Sequence, residues 1–438
     1  MNKNQKQRIE QEFQEIEKTI SDKRTPIDFQ MLEKIISKWL LIQDKGLIKV
    51  LVGAVIANKL QADPVWLFIV AAPGGTKTEL IRGLKKIEGI YAISDLTTQT
   101  FISGDIKNKN ASLLLRLPRQ GTILTYKDFT TVLTMHRDKQ QAIISQLREI
   151  YDGYYSKPFG TGETKSWEGK MGFIAGVTSV IDRHYEIYAV LGERFIQYRP
   201  TQPDSIALAK KAMANSGGEK IMREEIQNAF ADFLAGVEIP KENPQISDEI
   251  KNRIAHLATF CVKARSGIIR DGQATREIDL IPDHELPTRL PKQLITLVAA
   301  FSMIGNNTQE EDYELLYKIA MDSLPQKRRK TLEILIRTTE TLDTADVAME
   351  IGYPTNTTRR ILEDLHGLAL LDRVHVGKGY ADKWLLTKYT RDLLEQAKPS
   401  SLRAKDLIKS TQKDTLPEKS DNPIDDINSL FDDTNQSR

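Results

Sequence analysis

The chain carries one cysteine, Cys261, in 438 residues, so no internal disulfide can form, and its cysteine and histidine residues lack zinc-ligand spacing. Cys261 reads as a core residue. Long apolar runs are also missing: none approaches the roughly 18 to 20 residues that span a bilayer. The start, MNKNQKQRIEQEF, lacks the apolar stretch of a secretory signal. Charge of one sign is not in excess, with 62 Lys and Arg against 60 Asp and Glu, so any nucleic-acid contact must come from local basic patches. These absences point to a soluble, cytoplasmic protein with no membrane association. The length allows two or three domains, each with an ample core.

What is present begins with Val65 to Leu80, VWLFIVAAPGGTKTEL, an apolar strand that runs into a glycine-containing loop and opens a helix. This is the layout of a nucleoside-triphosphate phosphate cradle. The loop Pro73, Gly74, Gly75 and Thr76 offers backbone N–H groups with little side chain in the way. Lys77 can reach phosphate oxygens, and the Thr78 hydroxyl can hold Mg²⁺. The match to G-x-x-x-x-G-K-[ST] is loose, because Ala71 replaces the first glycine and Thr76 the second. ATP and Mg²⁺ are therefore the expected ligands.

Apolar strand candidates follow at Val65 to Ala71, Ile90 to Ile93, Thr122 to Tyr126, Met171 to Val177 and Phe195 to Tyr198, with helical patterns between most of them. That alternation predicts an α/β fold with a three-layer core. We divide the chain into a helical N-terminal segment (1–60), an α/β nucleotide-binding core (61–205), a helical lid (206–323), a winged-helix unit (324–397) and a disordered tail (398–438). Within the first segment, Phe29, Leu32, Ile35, Ile36, Trp39 and Leu40 recur at helical spacing, which predicts a lead-in that packs on the nucleotide domain.

Asp128, just past Thr122 to Tyr126, is the candidate for handling metal or attacking water, on a strand expected to neighbour the phosphate-loop strand. It has no adjacent second carboxylate; Glu149 or Asp152 is the candidate to supply one, and a strand-end turn is the alternative role for Asp128. Thr178, at the end of Met171 to Val177, can orient water or cap the next helix. Arg194 and Arg289 are arginines placed to reach a γ-phosphate, Arg194 from a neighbouring subunit, or are surface ion pairs. The segment Tyr154 to Lys170 predicts a β-hairpin turning at Gly162-Glu163-Thr164-Lys165. Lys157, Lys165 and Lys170 would grip a DNA backbone or be solvated lysines.

Pro325 to Ala397 carries a winged-helix pattern: helices from Thr331 and Thr344, the turn Gly352-Tyr353-Pro354, and a recognition-helix position from Thr355 with Arg359 and Arg360. Two strands in Val374 to Leu386 joined by Gly377-Lys378-Gly379 make the wing, with Lys378 as a further DNA contact. Such units also dock proteins, and Glu363 and Asp364 stand beside the arginines. In the tail, Ile427, Leu430 and Phe431 lie among acids, either a short motif for a replication partner or ordinary disordered composition.

Taken together, AAPGGTKT, TILTYKDF, SQLREIYDGYYSKPFGTGETKSWEGK, GFIAGVTSVIDR, LGERF and PTRLPKQL, spread over Phe68 to Ala300, resemble the AAA+ ATPases of the minichromosome-maintenance type. The closer similarity is to the MCM-like helicases and Rep initiators of mobile elements such as staphylococcal cassette chromosomes and pathogenicity islands. The resemblance implies an ATP-driven DNA helicase or replication initiator, a hexameric ring of identical subunits with DNA in its channel. It implies Lys77 and Thr78 as the Walker A pair, Asp128 as the Walker B acid, Thr178 as sensor 1, Arg194 as the arginine finger and Arg289 as sensor 2. Lys165 falls in the pre-sensor hairpin. Lys127 stands where that family has its first Walker B carboxylate, and Thr178 where it usually has asparagine. A non-translocating helicase loader, or a DNA-binding replication protein switched by nucleotide, is the alternative.

Overall fold

The computed structural model describes residues 24–74, 76–105, 111–183, 194–272, 276–305, 307–377 and 381–403. Gly75, Lys378, Leu191 to Glu193, the first 23 residues and the tail motif with Ile427, Leu430 and Phe431 lie outside the described residues. The chain up to Lys398 forms one compact unit, and a second begins at Pro399.

Helix α1 (Phe29–Trp39) starts where the Asp28 carboxylate caps the Met31 N–H, and it buries Leu32 and Ile36 on one face. Helix α2 (Gly46–Lys59) is buried on every side from Leu47 to Asn58, as befits a sequence with no polar stripe. Its Asn58 donates to the carbonyls of Ala54 and Val65 and accepts from the Val65 N–H, fixing how the chain enters the sheet.

Seven strands and two principal helices follow: β1 (Trp66–Val70), α3 (Lys77–Gly83), β2 (Ile90–Ile93), β3 (Thr122–Tyr126), α4 (Arg137–Tyr151), β4 (Tyr154–Pro158), β5 (Thr164–Glu168), β6 (Met171–Val177) and β7 (Phe195–Tyr198). Five of the strands form a parallel sheet in the order β2-β3-β6-β1-β7, and β4 pairs with β5 as an antiparallel hairpin. The expectation that the strand leading to Asp128 lies beside β1 is therefore corrected. β6 lies between them, because parallel pairing joins strands across crossovers and chain order does not set it.

Successive residues of β1 enter opposite cores: Leu67 and Ile69 join α2 and the later helices, while Trp66, Phe68 and Val70 face α4. A sheet buried on both faces favours apolar residues along its strands, and every position of β1, β3 and β6 is buried, with Thr122 and Thr125 as polar members of β3. The α4 side is rich in rings, with Phe68 stacked on Phe195 at 3.9 Å and Phe129 against Phe68 and Phe173.

The helical region comprises α5 (Ser205–Ala214), α6 (Glu219–Ala235), α7 (Asp248–Ala264), a short hairpin of β8 (Ile269–Arg270) and β9 (Ile278–Leu280), α8 (Arg289–Phe301) and α9 (Gln309–Asp322). Helix α6 packs on α1 and α3, and α8 packs on α2. At the α3–α6 crossing a β-carbon on Gly83 would lie 2.8 Å from the Phe230 ring, so glycine permits the close approach.

The remaining elements are α10 (Gln326–Ile336), β10 (Leu342–Asp343), α11 (Thr344–Ile351), α12 (Thr355–Gly367), β11 (Leu371–Val374), β12 (Lys383–Leu386) and α13 (Lys388–Ala397). The three strands form an antiparallel sheet in the order β10-β12-β11. Gly352 ends α11 in the left-handed conformation at φ +70°, the position the Gly-Tyr-Pro turn requires. Helix α13 lies along α7, so the apolar faces of this unit and of the helical region form one continuous core. No helix among the described residues is long and apolar enough to cross a membrane.

Candidate nucleotide site and basic hairpin

The loop after β1 brings Lys77 back over its own backbone. Its buried amine donates to the carbonyls of Ala71 at 2.9 Å and Ala72 at 3.0 Å. Burial pushes its pKa down, and the nearby Asp128 carboxylate opposes the shift. Gly74 takes φ +76°, which only glycine adopts without strain, and a β-carbon there would meet nothing.

Asp128 sits in the turn after β3 and accepts the Thr130 N–H at 3.0 Å. The Thr130 hydroxyl in turn accepts the Thr178 N–H at 3.0 Å and donates to the Thr178 hydroxyl at 3.1 Å. Lys77, Asp128 and Thr178 therefore meet at the carboxyl edge of the sheet, with Thr130 coupling the last two. Sequence reasoning missed Thr130, although Asp-x-Thr at a strand end is the pattern of an Asx turn. Gly176 makes this packing possible: a β-carbon there would lie 2.6 Å from the Lys127 carbonyl and 3.4 Å from Lys77 Cδ.

Arg194 and Arg289 lie elsewhere. Arg194 precedes Phe195, which pairs with Trp66 at the amino end of β1. Its guanidinium binds Asp152 at 2.6 Å, and its carbonyl accepts from Gln293 of α8. It is 6 % exposed, so it does not project from the surface as expected of an arginine that reaches another subunit. Arg289, at the start of α8, pairs with Glu285, which also holds the buried Arg265. Both arginines act electrostatically on Tyr151, whose phenol burial pushes well above its ordinary value. Asp152 thus belongs to this second cluster, and Glu149, one turn earlier on α4, acts on Tyr155. Neither stands beside Asp128 as a second carboxylate, because α4 runs toward the amino edge of the sheet.

The hairpin forms as expected, yet its lysines turn inward. Lys157 Nζ donates to the carbonyls of Thr98 and Ile102, Lys165 Nζ to those of Ser103 and Asp105, and Lys170 Nζ to that of Leu60. Lys157 and Lys165 are direct cross-strand partners and both lie over the Phe159 ring. Burial lowers the pKa values of Lys157 and Lys170. The expected row of projecting cations is corrected to a brace: Lys157 and Lys165 tie the hairpin to residues 98–105, and Lys170 holds Leu60.

On α12, Arg359 is exposed and pairs with Glu363 at 2.9 Å, while Arg360 is half-buried. Arg270 of the β8–β9 hairpin binds Asp364 at 2.7 Å, Glu363 at 3.3 Å and the Arg360 carbonyl at 2.8 Å. The hairpin thereby covers the later half of α12 and leaves its first turn open. No group of three His, Cys, Asp or Glu residues among the described residues could hold a metal ion by itself. The chain matches no protein-family model, and no curated protein sequence matches it.

Proposed function

We propose that the chain is an ATP- and Mg²⁺-dependent AAA+ motor that acts on DNA as a ring, a helicase or replication initiator with a P-loop core, a helical lid and a C-terminal winged helix. The observation that carries this reading is the division of the site residues between opposite edges of one parallel sheet. Lys77, Asp128 and Thr178 stand at the carboxyl edge, where α/β sheets bind ligands. Arg194 and Arg289 stand at the other edge, separated from the loop by the five residues of β1, roughly 3.3 Å each. Within one chain these arginines do not reach the loop. In a ring, one subunit's arginine edge faces the next subunit's phosphate loop and completes the site, once Arg194 leaves the half-exposed Asp152.

The residues fit the ligand. A buried ammonium that donates to the neutral carbonyls of Ala71 and Ala72 suits an anionic phosphate, and Gly74 leaves the approach open. Thr78 and Asp128 would hold Mg²⁺, which keeps water and phosphate ligands and needs no carboxylate cage. The ion would neutralise charge on the phosphate oxygens. Asp128, held by the Thr130 backbone N–H, and Thr178, held by the Thr130 hydroxyl, would hold and orient water at the terminal phosphate. Arg359, exposed just beyond the first turn of α12, offers a DNA contact.

The inward lysines favour a second reading, a non-translocating loader or a nucleotide-switched DNA-binding replication protein, because braced amines do not grip a moving strand. Strand displacement on forked DNA with wild type and Lys77→Ala tests both. Unwinding by wild type alone supports the motor. Lys77-dependent hydrolysis or DNA binding without unwinding supports the switch.

A further inference from the structure

Glu79 lies in the first turn of the helix that follows the candidate phosphate loop, one residue beyond Thr78, where the helix dipole favours an acid but a bound phosphate would compete with it. It carries two arginines. Arg82, from the same helix, approaches it at 2.5 Å, and Arg223, from α6, binds both carboxylate oxygens at 3.0 and 3.2 Å. Arg82 and Glu79 are each about a quarter exposed, whereas Arg223 is 43 % exposed. The close crossing at Gly83 holds α6 against the loop helix through Ile226 and Phe230, and Arg223 lies on α6 ahead of that contact.

From this arrangement we infer that Glu79 stands in for phosphate: it parks the α6 arginine Arg223 beside the loop, and the phosphate chain of the nucleotide takes the arginine over. The inference rests on the nucleotide reading above and adds a phosphate-binding residue and a competitor to it. Three features favour the exchange. Carboxylate and phosphate offer a guanidinium the same pair of acceptors, so Arg223 trades one forked contact for another. Glu79 is not stranded when Arg223 leaves, because Arg82 remains on it. Glu79 lies about 3 Å along the helix axis from Lys77 though on the opposite side of the helix, so the long Arg223 side chain swings around the helix start to reach the loop.

The test is calorimetric titration of Mg²⁺-ATP into wild type, Lys77→Ala, Glu79→Gln, Arg223→Ala and the Glu79→Gln/Arg223→Ala double variant, with thermal melts as folding controls. If Glu79 competes with phosphate, Glu79→Gln tightens binding by about three- to tenfold, since it frees a charge-assisted contact. Arg223→Ala weakens binding roughly tenfold, the loss expected for a hydrogen bond to a charged group. The gain from Glu79→Gln must vanish in the Arg223→Ala background. If both single variants weaken binding, the pair is only a brace between α3 and α6, and the inference fails while the nucleotide reading stands. A gain that survives in the double variant reduces Glu79 to simple repulsion and likewise overturns the exchange. Absence of Lys77-dependent binding in the wild type removes the nucleotide reading and this inference together.

Discussion

Replacing Gly176 by alanine probes the packing that builds the candidate site. Gly176 lies on β6 between β1 and β3, and a methyl group there would meet the Lys127 carbonyl at 2.6 Å, Ile81 Cδ1 at 3.3 Å and Lys77 Cδ at 3.4 Å. The first contact is backbone and is pinned, because the Phe129 N–H donates to the Gly176 carbonyl at 2.7 Å. Ordinary contact begins near 3.4 Å, so the Lys127 carbonyl must retreat by about 0.8 Å and carry Asp128 with it. Overpacking of this kind costs about 1–3 kcal/mol of stability. A displacement approaching 1 Å at a reacting group lowers turnover by roughly 10²-fold. We therefore expect Gly176→Ala to lose about 1–3 kcal/mol in chemical denaturation. Its ATP turnover should fall roughly 10- to 100-fold, with a much smaller change in ATP affinity. Gly172→Ala is the control on the same strand, since its methyl would strike Asn58 Cγ at 2.5 Å, far from Asp128. It should destabilise comparably and leave the turnover of folded protein intact. A Gly176→Ala protein within about 0.5 kcal/mol of wild type, or one no slower than Gly172→Ala, refutes the reasoning.

Lys49 and Asp312 form a buried ion pair, so Lys49→Met strands a carboxylate that burial already disfavours and should cost about 3–5 kcal/mol. Lys49→Met/Asp312→Leu should recover most of that loss in urea denaturation, and failure to recover would show that the pair is not the cause. Burial raises the phenol pKa values of Tyr151, Tyr198, Tyr313 and Tyr317 above the ordinary 10.0. The folded state thus retains protons that the unfolded chain loses, and this contribution is complete below pH 10 and is lost as pH rises beyond it. An alkaline titration followed by phenolate absorbance should show these rings ionising only as the chain unfolds. Arg194→Ala should keep ATP binding and abolish turnover, and mixtures with wild type should deviate from simple proportion; a proportional response would argue against a shared site. Lys165→Ala should loosen residues 98–105 in hydrogen exchange, because it removes bonds to Ser103 and Asp105. Unchanged exchange there would show that the brace contributes nothing.

The parallel strands were legible in the chain because a strand buried on both faces is mostly apolar, and Trp66 to Val70, Thr122 to Tyr126 and Met171 to Val177 show this locally, with Thr122 and Thr125 as the polar exceptions. The loop was legible for a similar reason: Gly74 and the Lys77-Thr78 pair sit within a few residues of a strand end, so their chemistry depends on local geometry. Helix starts marked by Asp28, Ser247 and Thr308 caps are equally local.

What only the tertiary structure decided lies in contacts between residues distant in the chain. The insertion of β6 between β1 and β3 depends on which edges pair across crossovers, and no residue of β3 announces it. The inward turn of Lys157 and Lys165 depends on carbonyls of residues 98–105, about 60 positions away. A lysine on a hairpin has the same local sequence whether it faces solvent or a carbonyl. Glu79 and Arg223 are 144 residues apart, and their meeting requires the α3–α6 crossing that Gly83 permits. Periodicity and turn chemistry are read within a few residues, so the chain by itself determined its elements and the glycine-containing loop after β1. Partner choice among charged side chains rests on small energy differences in assembled surroundings, and the folded structure alone settles it.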